Sequence, residues 1–151
     1  MTGIIGRQRW AWAGAVLGLL VLGCSAGREE RVSVEGRITV HGQPLPSGTV
    51  VFHPDAARGN TSTREPRGAI RSNAPGRYQL TTDDKPGAAP GWYRVTVFAL
   101  KPVTRENAQR PPEWLADEKY ADVRRSGLAV EVVPTPTPGA YDFDLQAPQK
   151  R

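Results

Sequence analysis

The nine residues Trp92-Tyr93-Arg94-Val95-Thr96-Val97-Phe98-Ala99-Leu100 decide the fold. Tyr93, Val95, Val97 and Ala99 recur at every second position, the repeat of a strand with one buried face. The stretch is rich in aromatic and β-branched residues and is bounded by Pro90-Gly91 on one side and Pro102 on the other. Trp92, Phe98 and Leu100 make the second face largely apolar as well, so this strand needs cover on both sides.

Working outward, the same alternation recurs in shorter form. Val32, Val34, Gly36, Ile38 and Val40 alternate with Ser33, Glu35, Arg37 and Thr39. Further strands are expected over 49–53, 68–72, 77–82, 128–132 and 141–145, separated by turns rich in Gly and Pro. Residues 101–127 break the rhythm. They form a long charged insertion containing Pro111-Pro112, and a short helix is expected over 113–123, anchored by Trp114, Leu115 and Tyr120. The chain has 151 residues, with 16 Gly and 14 Pro, which favours many short elements over long helices. Seven strands and at most one short helix predict an all-β, single seven-stranded antiparallel sandwich over residues 31–147.

The N-terminus predicts export. Arg7 and Arg9 precede Ala11–Gly23, thirteen uncharged and mostly apolar residues. That run is shorter than the roughly 20 residues a membrane-spanning helix needs and matches the apolar core of a signal peptide. It ends Val21-Leu22-Gly23-Cys24-Ser25, which resembles a bacterial lipobox. By that resemblance residues 1–23 are cleaved, Cys24 carries the lipid, and residues 24–30 form a tether. Ser25 rather than Asp after the cysteine implies, by the same resemblance, the outer membrane of a Gram-negative-type envelope. Several acyl chains on Cys24 anchor stably where one would not. Cys24 is the only cysteine, so no intrachain disulfide forms. Loss of Arg7 and Arg9 lowers the net charge from +5 to +3, with the remaining charges interspersed. Neither the charge nor the compartment suits nucleic acid.

The order of turns and strands is similar to that of transthyretin-like, carboxypeptidase regulatory-like domains. The resemblance rests on Val34-Glu35-Gly36-Arg37-Ile38-Thr39-Val40 with Gly42-Gln43-Pro44-Leu45-Pro46 and Thr49-Val50-Val51-Phe52, then Gly76-Arg77-Tyr78-Gln79-Leu80 and Pro90-Gly91-Trp92-Tyr93-Arg94-Val95-Thr96-Val97. Lys119-Tyr120-Ala121-Asp122, Ser126–Val132 and Tyr141–Leu145 resemble the tail of small bacterial lipoproteins of this kind. The resemblance spans residues 31–146 and implies a prealbumin-like Greek key, without implying one function. Two positions depart from the pattern: Ile38 replaces the commoner Val, and Pro75 replaces an acidic turn residue before Gly76.

No catalytic residue, metal ligand or cofactor site is expected. Hydroxyisourate hydrolase shares the implied fold, but its C-terminal Tyr-Arg-Gly-Ser run is missing here, where the chain ends Gln149-Lys150-Arg151. Some related adhesin domains carry a Lys–Asn crosslink between first and last strands; here the first strand has no Lys and the last no Asn. If residues 32–53 form one hairpin centred near Pro44, His53 pairs near Gly36, and His41 lies about 16 Å along the strand, at ~3.3 Å per residue. The two histidines would then share no site. Asp83-Asp84 reads as a solvated turn in preference to a calcium ligand.

Trp92, Phe98 and Trp114 are the candidate ligand surface. One reading makes them an aromatic platform for a sugar or a partner protein; the favoured one is that the 101–127 insertion folds back over that face, using Trp114 and Tyr120. The leading expectation is a non-enzymatic envelope module for a protein partner, since sandwich edges can accept a strand from another chain. The alternatives are carbohydrate or peptidoglycan binding through exposed aromatics and, third, a hydrolase.

Overall fold

A computed structural model describes residues 30–149. Residues 1–29, which include the expected signal peptide, Cys24 and most of the tether, lie outside the described residues. The chain is mostly β, in two sheets. The strands are β1 (Glu35–Val40), β2 (Gln43–Pro44), β3 (Gly48–Pro54), β4 (Arg67–Ile70), β5 (Arg77–Gln79), β6 (Thr81–Thr82), β7 (Lys85–Pro86), β8 (Gly91–Phe98), β9 (Leu128–Val132) and β10 (Phe143–Leu145). One sheet has the order β7-β6-β4-β3-β8-β9. The other is centred on β1, which pairs β10 in parallel and both β2 and β5 antiparallel.

The alternation read from the sequence sets the core. Tyr93, Val95, Val97 and Ala99 are fully buried, and Val34, Ile38, Val50, Phe52, Leu80, Val132 and Leu145 meet them from the other strands. Phe52 touches both Tyr78 and Tyr93 in tilted ring contacts, with centroids 6.4 and 5.7 Å apart. Aromatic rings in such geometry add to the area they bury.

Every expected strand is present, but three connections differ from the sequence reading. First, residues 32–53 do not form one hairpin. His41 and Gly42 both adopt positive φ (48° and 75°), the conformation of a two-residue hairpin turn, so β1 folds onto β2 for two rungs only. Leu45 then enters the core and the chain crosses to the other sheet as β3, which pairs β4 and β8 instead of β1. Second, the expected strand 77–82 divides at Leu80. β5 pairs β1 in one sheet while β6 pairs β4 in the other. Leu80 is fully buried at this corner, where the chain changes sheets.

Third, the expected 113–123 helix shrinks to one 3-10 turn, Glu118–Ala121. Trp114 and Leu115 are drawn into extended pairing with the end of β8, through a Leu100–Trp114 bridge and a bond from the Leu115 N–H to the Ala99 carbonyl (2.7 Å). Asp117 caps the turn by accepting from the Lys119 N–H at 2.9 Å.

Tyr78 ties β5 across β1 to the segment before β10, and Tyr141 continues the link to the segment after β9 in the other sheet. Its hydroxyl donates to the Tyr141 carbonyl at 2.7 Å, and the Tyr141 hydroxyl in turn accepts from the Val133 N–H at 3.3 Å. Gly36 lies beneath this pair, and a Cβ there would strike the Tyr141 carbonyl and the Tyr78 hydroxyl. Burial, with smaller contributions from the charges of Asp142 and Tyr141, pushes the Tyr78 hydroxyl well above the ordinary tyrosine range, so it stays a donor.

Candidate functional site

The candidate aromatics sit on the outer face of the six-stranded sheet, and the strand itself separates them. Trp92 and Phe98 are six residues apart on β8, about 20 Å at ~3.3 Å per residue. Phe98 remains 39% exposed. Trp114 lies across from Leu100, at the Phe98 end. Phe98 and Trp114 therefore share one end of the strand, and Trp92 stands at the other. Trp92 is covered from an unexpected direction. The turn Ala56–Arg58 carries Arg58 over the indole, its guanidinium carbon 4.4 Å from the ring centroid. Asp55, itself buried, holds that turn with its carboxylate near Arg58 (3.6 Å) and Arg94 (3.5 Å).

The 101–127 insertion returns to the Leu100 end of β8 through Trp114, but Tyr120 goes elsewhere. Ala116 and Tyr120 enter the core, and the Tyr120 hydroxyl accepts from the Gln146 N–H at 3.2 Å. The Asp117 N–H also donates to the Gln146 carbonyl at 2.9 Å. The insertion thus bridges the ends of β8 and β10. Tyr120 is an anchor as read from the sequence, but between the sheets and not over Trp92.

The histidines have separate partners. His41 Nε2 accepts from the Ala147 N–H at 3.1 Å, fastening the segment after β10. His53 makes an arrangement that its sequence position gave no hint of: Nδ1 is 2.7 Å from Glu65 Oε1 and Nε2 is 2.9 Å from Thr96 Oγ1. An ionised carboxylate only accepts, so Nδ1 carries the proton. In the neutral ring Nε2 then accepts from the Thr96 hydroxyl. Hydroxyl, imidazole and carboxylate stand in the order of a hydrolytic triad. Thr96, however, is 1% exposed, so its hydroxyl meets no substrate from solvent. The three groups strap β3, β8 and the segment before β4 together.

Asp83 and Asp84 both have positive φ (50° and 61°) and form the two-residue turn between β6 and β7. Asp83 pairs with Arg64 at 3.2 Å. Among the described residues, no group of three or more His, Cys, Asp or Glu side chains is placed to hold a metal ion. Among the same residues, no helix is long and apolar enough to cross a membrane.

The backbone bonding fixes which groups lie at one edge of the six-stranded sheet. The Asp55 N–H donates to the Trp92 carbonyl at 3.0 Å, so the backbone groups of Trp92 face β3. Alternation along β8 then turns those of Gly91, Tyr93 and Val95 toward β9, opposite Val132, Val130 and Leu128. Ala129 and Glu131 consequently point their N–H and C=O groups outward, and β9 pairs no other strand among the described residues. Its sequence, Leu-Ala-Val-Glu-Val, carries a single charge. The alternation of residues 128–132 was legible in the sequence. That they form an outer edge follows only from the strand order. No protein-family model, no curated protein and no solved structure matches the chain.

Proposed function

We propose that the protein is an exported lipoprotein, anchored in the outer membrane through acyl chains on Cys24, that acts as a non-enzymatic binding module for another protein of the cell envelope. The two-sheet β structure is read, more finely, as a seven-stranded Greek-key sandwich of the transthyretin-like, carboxypeptidase regulatory-like kind. The three two-residue strands β2, β6 and β7 extend its hairpins and corners. The parallel pairing of first and last strands, Ile38–Val40 beside Phe143–Leu145, departs from the antiparallel arrangement expected from the sequence, because strand direction between such distant segments is set by packing and not by local alternation.

The observation that carries the binding role is the outer edge of β9. An edge strand with outward N–H and C=O groups and one charge accepts an extended segment from another chain. The tether supports surface placement. Val32 is fixed to Ala88 by two backbone bonds of 2.9 and 3.0 Å. The eight residues from Cys24 to Arg31 reach at most about 29 Å, so the module stays close to the bilayer.

The test is crosslinking in intact cells, with recovery through a C-terminal tag, of the native chain, Cys24→Ala and Ala129→Pro. Proline at 129 removes only an outward N–H, which leaves the β8 ladder intact. One stoichiometric protein, lost in both variants while Ala129→Pro still melts cooperatively, is the expected result. A partner retained by Ala129→Pro refutes the edge, and no reproducible protein refutes a protein partner.

A further inference from the structure

On the outer face of the β1-centred sheet, Arg37 of β1 and Arg77 of β5 are directly opposite each other in register. Side chains so placed have Cβ atoms about 4.5–5.5 Å apart, and like charges there destabilise the sheet. Both arginines are exposed, and among the described residues neither guanidinium lies within ion-pair distance of a carboxylate. Together with Glu35, Gly36, Tyr78 and Asp142 they line a hollow of about 210 Å³. That is smaller than the roughly 300–1,000 Å³ of sites for drug-sized ligands, so it admits one small group.

The two acids in the hollow are already partly engaged. Glu35 Oε1 accepts from the Gln79 amide at 3.1 Å, and Asp142 Oδ1 accepts from the Arg37 N–H at 2.7 Å. Each keeps its second oxygen without a hydrogen bond among the described residues. The hollow therefore presents two guanidinium forks, suited to a planar or tetrahedral oxyanion, beside two carboxylate oxygens that can accept hydroxyls.

From this juxtaposition we infer that the hollow between Arg37 and Arg77 is a binding site for an acidic sugar unit, its oxyanion held between the two guanidiniums and its hydroxyls by Glu35 and Asp142. The anion supplies the charge that the opposed arginines lack, which turns a repulsive cross-strand pair into a clamp. The inference stands apart from the β9 edge, on the other sheet, and does not depend on the lipid anchor.

The test is an amide-resolved NMR titration of the full chain in detergent micelles with D-glucuronate and, separately, D-glucose. Glucuronate is expected to give saturable shifts at Gly36, Arg37 and Arg77, and glucose none. Arg37→Gln and Arg77→Gln are each expected to weaken glucuronate binding at least tenfold while melting no lower than the native chain, because each removes the repulsion. That combination separates loss of a site from loss of the fold. Absence of saturable shifts at these amides, an equal response to glucose, or unchanged affinity in both variants would overturn the inference.

Discussion

Replacing Tyr78 by Phe removes one oxygen atom and tests how β5 is tied across β1 to the segment before β10. The ring keeps its contact with Phe52, at 6.4 Å between centroids. What is lost is the 2.7 Å bond to the Tyr141 carbonyl, in a place where Tyr78 and Tyr141 are both buried. Leaving such an acceptor unsatisfied costs about 1–3 kcal/mol. The pH dependence gives a second, independent signature. The folded state holds the Tyr78 hydroxyl above its unfolded value, chiefly by burial, so ionisation favours the unfolded chain. This contribution is complete below the ordinary tyrosine value near pH 10 and is lost as pH rises beyond it, at about 1.4 kcal/mol per pH unit. Tyr78→Phe has no such loss. Urea unfolding followed by far-ultraviolet circular dichroism at pH 7, 10 and 11 should therefore show a deficit of about 1–3 kcal/mol at pH 7. The deficit should shrink by about 1.4 kcal/mol per unit above pH 10. A deficit below about 0.5 kcal/mol at neutral pH, or one that stays constant to pH 11, refutes the role assigned to this hydroxyl.

Gly36→Ala should lower stability by at least about 1–3 kcal/mol, because the new Cβ meets the Tyr141 carbonyl and the Tyr78 hydroxyl instead of a flexible side-chain tip. A melting temperature equal to that of the native chain would show that β1 and the segment before β10 lie farther apart than described. Asp144 accepts from the Thr39 hydroxyl at 2.5 Å and from the Gly42 N–H at 2.8 Å. The Thr39 bond first, then the Gly42 bond, hold its carboxyl below the usual aspartate range. A lowered value stabilises the fold above the unfolded pKa near 3.9, and the benefit is lost as pH falls through the folded value. The advantage of the native chain over Asp144→Asn in melting temperature should thus be largest near neutrality and vanish in strong acid. An advantage that persists there would assign it to geometry and not to charge.

The parts of the fold legible in the sequence are those governed by local periodicity. Tyr93, Val95, Val97 and Ala99 repeat every two residues and all four are buried. The connections were less legible because they depend on where distant strands lie. His41-Gly42 is short enough to be a hairpin turn, yet its sequence resembles the longer Gly/Pro connection around it. The 113–123 stretch has a helical pattern of apolar residues, but Leu100 and Ala99 recruit Trp114 and Leu115 into extended pairing. Tertiary contact overrode a weak helical preference.

The candidate site shows the same division. Trp92 and Phe98 were identifiable as apolar residues on the second face of one strand, and Trp114 as an anchor of the insertion. The approach of Arg58 over Trp92 was not, because it comes from a turn more than thirty residues away in sequence. The His53–Glu65–Thr96 strap joins three segments and has no sequence signature. Likewise, Arg37 and Arg77 are ordinary exposed arginines in the sequence and become a pair only through the β1–β5 register.

Side-chain alternation, turn residues and composition by themselves determined that the chain is β-rich and that Tyr93, Val95, Val97 and Ala99 share one buried face, since these depend on chemistry within a few residues. The tertiary structure alone decided which strands are neighbours, where the chain changes sheets at Leu80, and that β9 is an outer edge. Those facts are set by packing and hydrogen bonding between residues far apart in the chain, where the local pattern is the same for a central strand as for an edge.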